Sequence, residues 1–118
     1  MTDVPAAEPA NDPVHDFIGQ AIAEHPVILF MKGQVEQPRC GFSGVVVQIL
    51  DHIGVEFVGV DVLQNEAIRE GIKAFSDWPT IPQLYVKGEF IGGADIVREM
   101  FQSGELKALL FEQGLVAA

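Results

Sequence analysis

The chain contains one cysteine, Cys40, and the residues around it are those best suited to chemistry. Cys40 stands between Pro38-Arg39 and Gly41-Phe42-Ser43. From Gly41 onward, apolar side chains fall at Phe42, Val45, Val46, Ile49, Leu50 and Ile53, a helical spacing that stops at Gly54. A thiol just before a helix start meets unpaired backbone N–H groups and the positive end of the helix dipole. Arg39 adjoins it, and Lys32, closing the apolar run Val27–Met31, should emerge at the same edge. All three influences favour thiolate over thiol, and the thiolate is both nucleophile and metal ligand. A lone cysteine is more commonly a small buried hydrophobe. Its place before a glycine at a helix start argues against that reading here.

Ser43 stands where a Cys-x-x-Cys redox motif would put its resolving cysteine. Cys40 therefore cannot release a bound substrate through an internal disulfide and must depend on an outside thiol. One cysteine also rules out a disulfide framework and a multi-cysteine zinc site within one chain. His15, His25 and His52 have no ligand spacing between them and read as ordinary helix-side histidines.

The elements that must position Cys40 follow from periodicity and punctuation. Thr2 to Asn11, rich in Ala, Pro and acid, reads as a disordered tail, so residues 1–12 are set apart from one domain over 13–118. Asp12-Pro13 is an N-cap with proline at the first helical position, opening a helix to about Glu24. Val27–Lys32 reads as a buried strand, Gly33–Arg39 as a loop, and Val55–Asp61 as a second strand. Asn65 can cap a helix with Ile68, Ile72 and Phe75 on one face. Gln83–Val86 and Glu89–Ile91 flank Lys87-Gly88, a two-residue hairpin connection. A last helix from about Asp95 is interrupted near Gly104 and resumes to Gln113. The early βαβ unit requires a parallel pair and the hairpin an antiparallel one. A four-stranded mixed sheet with helices on both faces, the α/β thioredoxin-like fold, is the expected solution.

With 17 acidic against 7 basic residues the net charge is −10, which disfavours nucleic acid as a partner. No apolar run reaches the roughly 18 residues of a membrane span. The start of the chain lacks a signal-peptide pattern, so a cytoplasmic location is expected.

Lys32-Gly33 followed by Pro38-Arg39-Cys40-Gly41-Phe42-Ser43 resembles the signature of the monothiol, CGFS-type glutaredoxins. Trp78-Pro79-Thr80-Ile81-Pro82-Gln83-Leu84-Tyr85-Val86 and Ile91-Gly92-Gly93-Ala94-Asp95-Ile96-Val97 resemble two further blocks of that family, and the resemblance spans about Val14 to Gln113. It implies a glutathione groove. Pro82 would be a cis-proline facing Cys40, with the backbone of Ile81, after Thr80, pairing with the cysteinyl part of glutathione. Lys32 and Arg69 would meet the glycine carboxylate. Gly93 would allow close approach, and the N–H groups of Ala94 and Asp95 would take the γ-glutamyl carboxylate. The Asp95 carboxylate would accept from the ammonium. Taken singly, Asp95 is an N-cap, Arg69 a solvated charge and Thr80-Ile81-Pro82 a turn; their convergence on one edge favours the groove.

The resemblance further implies a [2Fe–2S] cluster bridging a homodimer, with Cys40 and one glutathione thiol from each side making the four thiolate ligands such a cluster needs. Acceptor apoproteins would receive the cluster, and a BolA-type protein is a further implied partner. The family most often has a second cysteine where this chain has Ala94; the four ligands do not depend on it. The expected function is thus a glutathione-dependent cluster carrier, with Cys40 as the redox-active residue. The rival is an enzyme, a glutathione-dependent reductase of mixed disulfides. The CGFS signature and the longer loop from Gly33 to Arg39 favour the carrier.

Overall fold

The computed structural model describes residues 12–117, so the expected tail lies, apart from Asp12, outside the described residues. Helix α1 (Pro13–Glu24) starts as its sequence dictates: Asp12 Oδ1 accepts the Val14 N–H at 2.9 Å and proline occupies the first turn. Strand β1 (Val27–Met31) is buried at every position and lies in the middle of the sheet. Two very short strands, β2 (Gly33–Gln34) and β3 (Gln37–Pro38), form a separate ribbon that leads into α2 (Gly41–Ile53). Strand β4 (Val58–Asp61) follows, then a single 3-10 turn (Val62–Gln64) and α3 (Glu66–Ser76), whose cap Asn65 accepts from the Ala67 and Ile68 N–H groups. Strands β5 (Gln83–Val86) and β6 (Glu89–Gly92) form the hairpin. Lys87 and Gly88 both have positive φ, 51° and 83°, the conformation a two-residue connection needs to follow the twist of its strands. Helices α4 (Ala94–Ser103) and α5 (Glu105–Glu112) are separated at Gly104, whose φ is 89°.

The sheet runs β4-β1-β5-β6, with β1 and β4 parallel and the other pairs antiparallel. Alternation along β1 divides the core in two. Val27, Leu29 and Met31 pack with Val46 and Leu50 of α2, Val97 of α4 and Leu106 and Leu110 of α5. Ile28 and Phe30 pack with Ile18 and Ile22 of α1 and Ile72 of α3. This is the expected thioredoxin-like arrangement.

Most element ends fall within a residue of expectation, and two segments differ by more. Strand pairing begins at Val58 rather than Val55, because the Gly54 and Val55 N–H groups both return to the Leu50 carbonyl and finish α2. The segment Gly33–Arg39 is not an open loop but the β2–β3 ribbon. It closes where the Arg39 N–H donates to the Lys32 carbonyl at 2.9 Å.

Candidate functional site

Cys40 is the N-cap residue of α2, with extended backbone (φ −143°, ψ 135°). The helix turn beyond it is tied to the end of β1 by Ser43. That side chain is fully buried, and its Oγ accepts the Lys32 N–H at 3.0 Å. Burial pushes the Cys40 thiol up, but the Ser43 and Phe42 N–H groups, the Lys32 charge and the Ser43 hydroxyl outweigh it, so the thiol titrates below its ordinary value. The sulfur makes no regular capping hydrogen bond as a thiol; those N–H groups act by favouring the thiolate. Of the three influences expected from sequence, the helix start and Lys32 act on Cys40 and Arg39 does not. The Arg39 charge bears instead on Asp61.

Asp61 was legible only as the end of a strand, yet it anchors the turn after Lys32. Its Oδ1 accepts the Gly33 and Leu63 N–H groups, each at 2.9 Å, and Oδ2 accepts from Gln64. Partial burial raises its carboxyl, and these donors, with Arg39, more than offset that and hold it below the usual carboxylate range. Gly33 is the hinge of the turn. Its φ is 94°, and a Cβ there would collide with the Arg39 N and, at 2.8 Å, the Gln37 O.

Cys40 opens on a cleft of about 470 Å³. Lys32 reaches it from the end of β1, Phe42 from α2, and Arg69 and Lys73 from α3. Trp78 to Pro82 come from the segment before β5, and Gly93 to Ile96 from the start of α4. All nine residues singled out from the sequence, Lys32, Cys40, Arg69, Thr80, Ile81, Pro82, Gly93, Ala94 and Asp95, line this one cleft. The Ile81–Pro82 peptide bond is cis, as expected. Gly93 caps α4 without a side chain, so the first-turn N–H groups have no internal acceptor of that kind. A Cβ at Gly93 would lie 3.3 Å from the Pro82 O and 3.4 Å from Trp78 Nε1, which fixes how close the two walls can stand. Two of the cations are paired with carboxylates one turn back on α3, Arg69 with Glu66 at 3.8 Å and Lys73 with Glu70 at 3.1 Å. Asp95 pairs with Arg98 at 3.3 Å.

Sequence reasoning missed part of the lining. Lys73 carries a findable signal, lying one helical turn beyond Arg69 on the same face. Phe42, counted among the apolar residues of the helix stripe, is 60% exposed at the cleft mouth. Trp78, Pro79 and Ile96 were visible only as parts of recognisable blocks. Among the described residues no group of three or more His, Cys, Asp or Glu side chains could hold a metal ion. The site offers one thiolate, a cationic wall and a helix start.

Comparison with known proteins agrees with this geometry. The glutaredoxin family model matches residues 27–91. A probable monothiol glutaredoxin 2 of Rickettsia typhi is 55% identical over 97 residues, covering 82% of this chain and 87% of the relative. The mitochondrial monothiol glutaredoxin-5 of Schizosaccharomyces pombe is 52% identical over 101 residues, 83% of this chain and 69% of its own length. Among solved structures, reduced poplar apo GrxS14 superposes with a TM-score of 0.77 at 43% identity, covering 89% of this chain and 96% of that one. A buckwheat glutaredoxin–glutathione complex gives a TM-score of 0.79 at 25% identity, covering 96% of this chain and all of the other. With more than half its residues shared over four-fifths of its length, and serine where a second thiol would stand, this chain belongs to the monothiol glutaredoxins.

Proposed function

We propose that the protein binds glutathione in the Cys40 cleft and, as a homodimer, carries a [2Fe–2S] cluster to acceptor apoproteins. The observation that carries this reading is the donor set: one activated thiolate beside three cations and an uncapped helix start, with no further ligand cluster among the described residues. Glutathione supplies what is missing. Its glycine carboxylate suits Lys32, Arg69 and Lys73, its cysteinyl backbone suits Ile81, and its γ-glutamyl carboxylate suits the Ala94 and Asp95 N–H groups. The ammonium would then draw Asp95 away from Arg98. The buckwheat relative, solved with glutathione, supports a ligand of this class. Seated so, the glutathione thiol would lie beside Cys40, giving each chain two thiolates. Two chains then complete the four that the cluster requires. A cluster held between two exposed clefts is open to exchange with acceptor thiolates, and a BolA-type protein is a second candidate to share it.

The experiment is anaerobic reconstitution with iron, sulfide and either glutathione or dithiothreitol, followed by iron, sulfide and mass determination on one sample. A dimer with one cluster, formed only with glutathione, is expected. A loaded monomer, or full loading in dithiothreitol alone, would sink the ligand set.

The lowered Cys40 thiol favours a second activity at the same cleft. The Cys40 thiolate attacks the glutathione sulfur of a protein mixed disulfide, that S–S bond breaks, and the protein thiolate leaves. A second glutathione thiolate then attacks the Cys40–glutathione disulfide, releasing oxidised glutathione and restoring Cys40. Turnover of a glutathionylated substrate by cluster-free protein measures this activity separately from carriage.

A further inference from the structure

The core buries two polar side chains among the described residues, Ser43 and Gln83, and neither lines the cleft. Ser43 ties α2 to the end of β1, which leaves Gln83 to be explained. Gln83 opens β5 in the interior of the sheet, opposite Phe30 of β1, with none of its surface exposed. The rest of that strand is Leu84, Tyr85 and Val86, all buried. An amide there is costly unless its donors and acceptor are matched. Its partners reveal its use. Nε2 donates to the Trp78 carbonyl at 3.2 Å and to the Thr80 carbonyl at 3.0 Å, while Oε1 accepts from the Tyr85 hydroxyl at 3.3 Å. Both carbonyls belong to the irregular segment between α3 and β5, which no strand ladder supports. The outer side of that segment, Trp78 to Pro82, is one wall of the cleft.

We propose that Gln83 is a positioning residue for the cleft: its buried amide ties the Trp78–Pro82 wall to the sheet in the shape that meets glutathione. The orientation of the amide follows from the two carbonyls, which can only accept. They require the NH2 end, a flipped amide would set oxygen against both, and Oε1 is left to accept from the Tyr85 hydroxyl. Tyr85 is itself held by Phe30, Phe75 and Phe90, with ring centroids 5.9, 6.5 and 5.3 Å away. Rigidity therefore passes from the aromatic core to Tyr85, to Gln83 and to the wall. This rests on the glutathione reading of the cleft, and its test keeps the two apart.

Trp78 is the single tryptophan of the chain and is 38% exposed, so its emission reports on the wall without any ligand. Four proteins are compared: the parent, Gln83→Met, Tyr85→Phe, and the core variant Leu110→Val, remote from the wall. Acrylamide quenching of Trp78 is read beside binding of S-methylglutathione, which cannot exchange its sulfur. Gln83→Met should raise quenching and weaken binding about tenfold, through loss of two hydrogen bonds to the wall. Tyr85→Phe, which keeps the ring packing and stays readable even where Gln83→Met does not fold, should shift both in the same direction by less. Leu110→Val should lower Tm and leave both readings at the parent value. Unchanged quenching in both Gln83→Met and Tyr85→Phe overturns the anchoring, as does a Leu110→Val protein that reproduces the changes. A parent that binds no S-methylglutathione overturns the glutathione reading and with it the ligand assigned here.

Discussion

Cys40 and Ser43 divide between them what a pair of cysteines would do in a dithiol site. Cys40 carries the reactivity, while Ser43 spends its oxygen on the Lys32 N–H and its hydroxyl helps to lower the thiol, so it is built into the framework. The sign of the Cys40 shift has a testable consequence. A thiol whose folded value is depressed is charged over a wider range, so its contribution to stability is present above the ordinary thiol value and disappears as pH falls through the folded one. The rate of iodoacetamide alkylation against pH should therefore have its midpoint below that of the urea-unfolded chain. Lys32→Ala should move that midpoint upward, since the Lys32 charge is one of the influences that lower it. A midpoint unaltered by Lys32→Ala would leave the helix start and the Ser43 hydroxyl as the activators. Arg39→Ala should leave it in place, because Arg39 serves Asp61 instead. Neighbourhood in sequence misled on this residue: the Arg39 charge bears on Asp61 rather than on the thiol it adjoins.

Among elements, the β2–β3 ribbon and the Trp78–Pro82 wall are the parts that hold the site open, and each depends on a glycine in a different way. At Gly33 both the positive φ and the collision with backbone forbid a side chain, so Gly33→Ala should cost about 1–3 kcal/mol and loosen the approach to Cys40. At Gly93 the φ of −94° suits any residue, and only the facing wall objects. Gly93→Ala should thus keep nearly the parent Tm while weakening glutathione binding several-fold, the reverse of the pattern at Gly33. Chemical denaturation and ligand titration on the two variants separate these outcomes; a Gly93→Ala protein that binds as well as the parent would show that the walls can part. The elements themselves were largely readable beforehand. Asp12-Pro13, Asn65 and Lys87-Gly88 are local signals whose physics is complete within a few residues, and each structure formed where expected. The ribbon was not readable, since strands of two residues carry no period. Gln83 was not either: within Ile-Pro-Gln-Leu-Tyr-Val it is one polar residue in an apolar run, and only the fold shows which carbonyls it meets. Phe42 fits the helical stripe of α2, but periodicity does not say where along a helix the core ends and a cleft begins.

At the scale of the whole molecule, charge is inverted locally. The chain carries 17 acidic and 7 basic residues, yet the cleft lining includes Lys32, Arg69 and Lys73 against Asp95 alone. The proposed anionic tripeptide would be drawn to that cleft although the body as a whole repels anions. The proposed dimer faces the opposite problem, because two chains of net charge −10 must come together. Salt should therefore act on the two events with opposite signs. Glutathione binding, a short-range attraction to exposed cations, should weaken as ionic strength rises. Assembly of the loaded dimer, opposed by repulsion between whole molecules, should strengthen as the screening length falls from about 30 Å at 0.01 M to about 10 Å at 0.1 M. Sedimentation velocity of the cluster-loaded protein across that range, with glutathione in excess, measures the second effect. Titration of cluster-free protein with S-methylglutathione in the same buffers measures the first. A loaded dimer that dissociates on addition of salt would mean that paired charges, rather than the shared cluster, hold the two chains together.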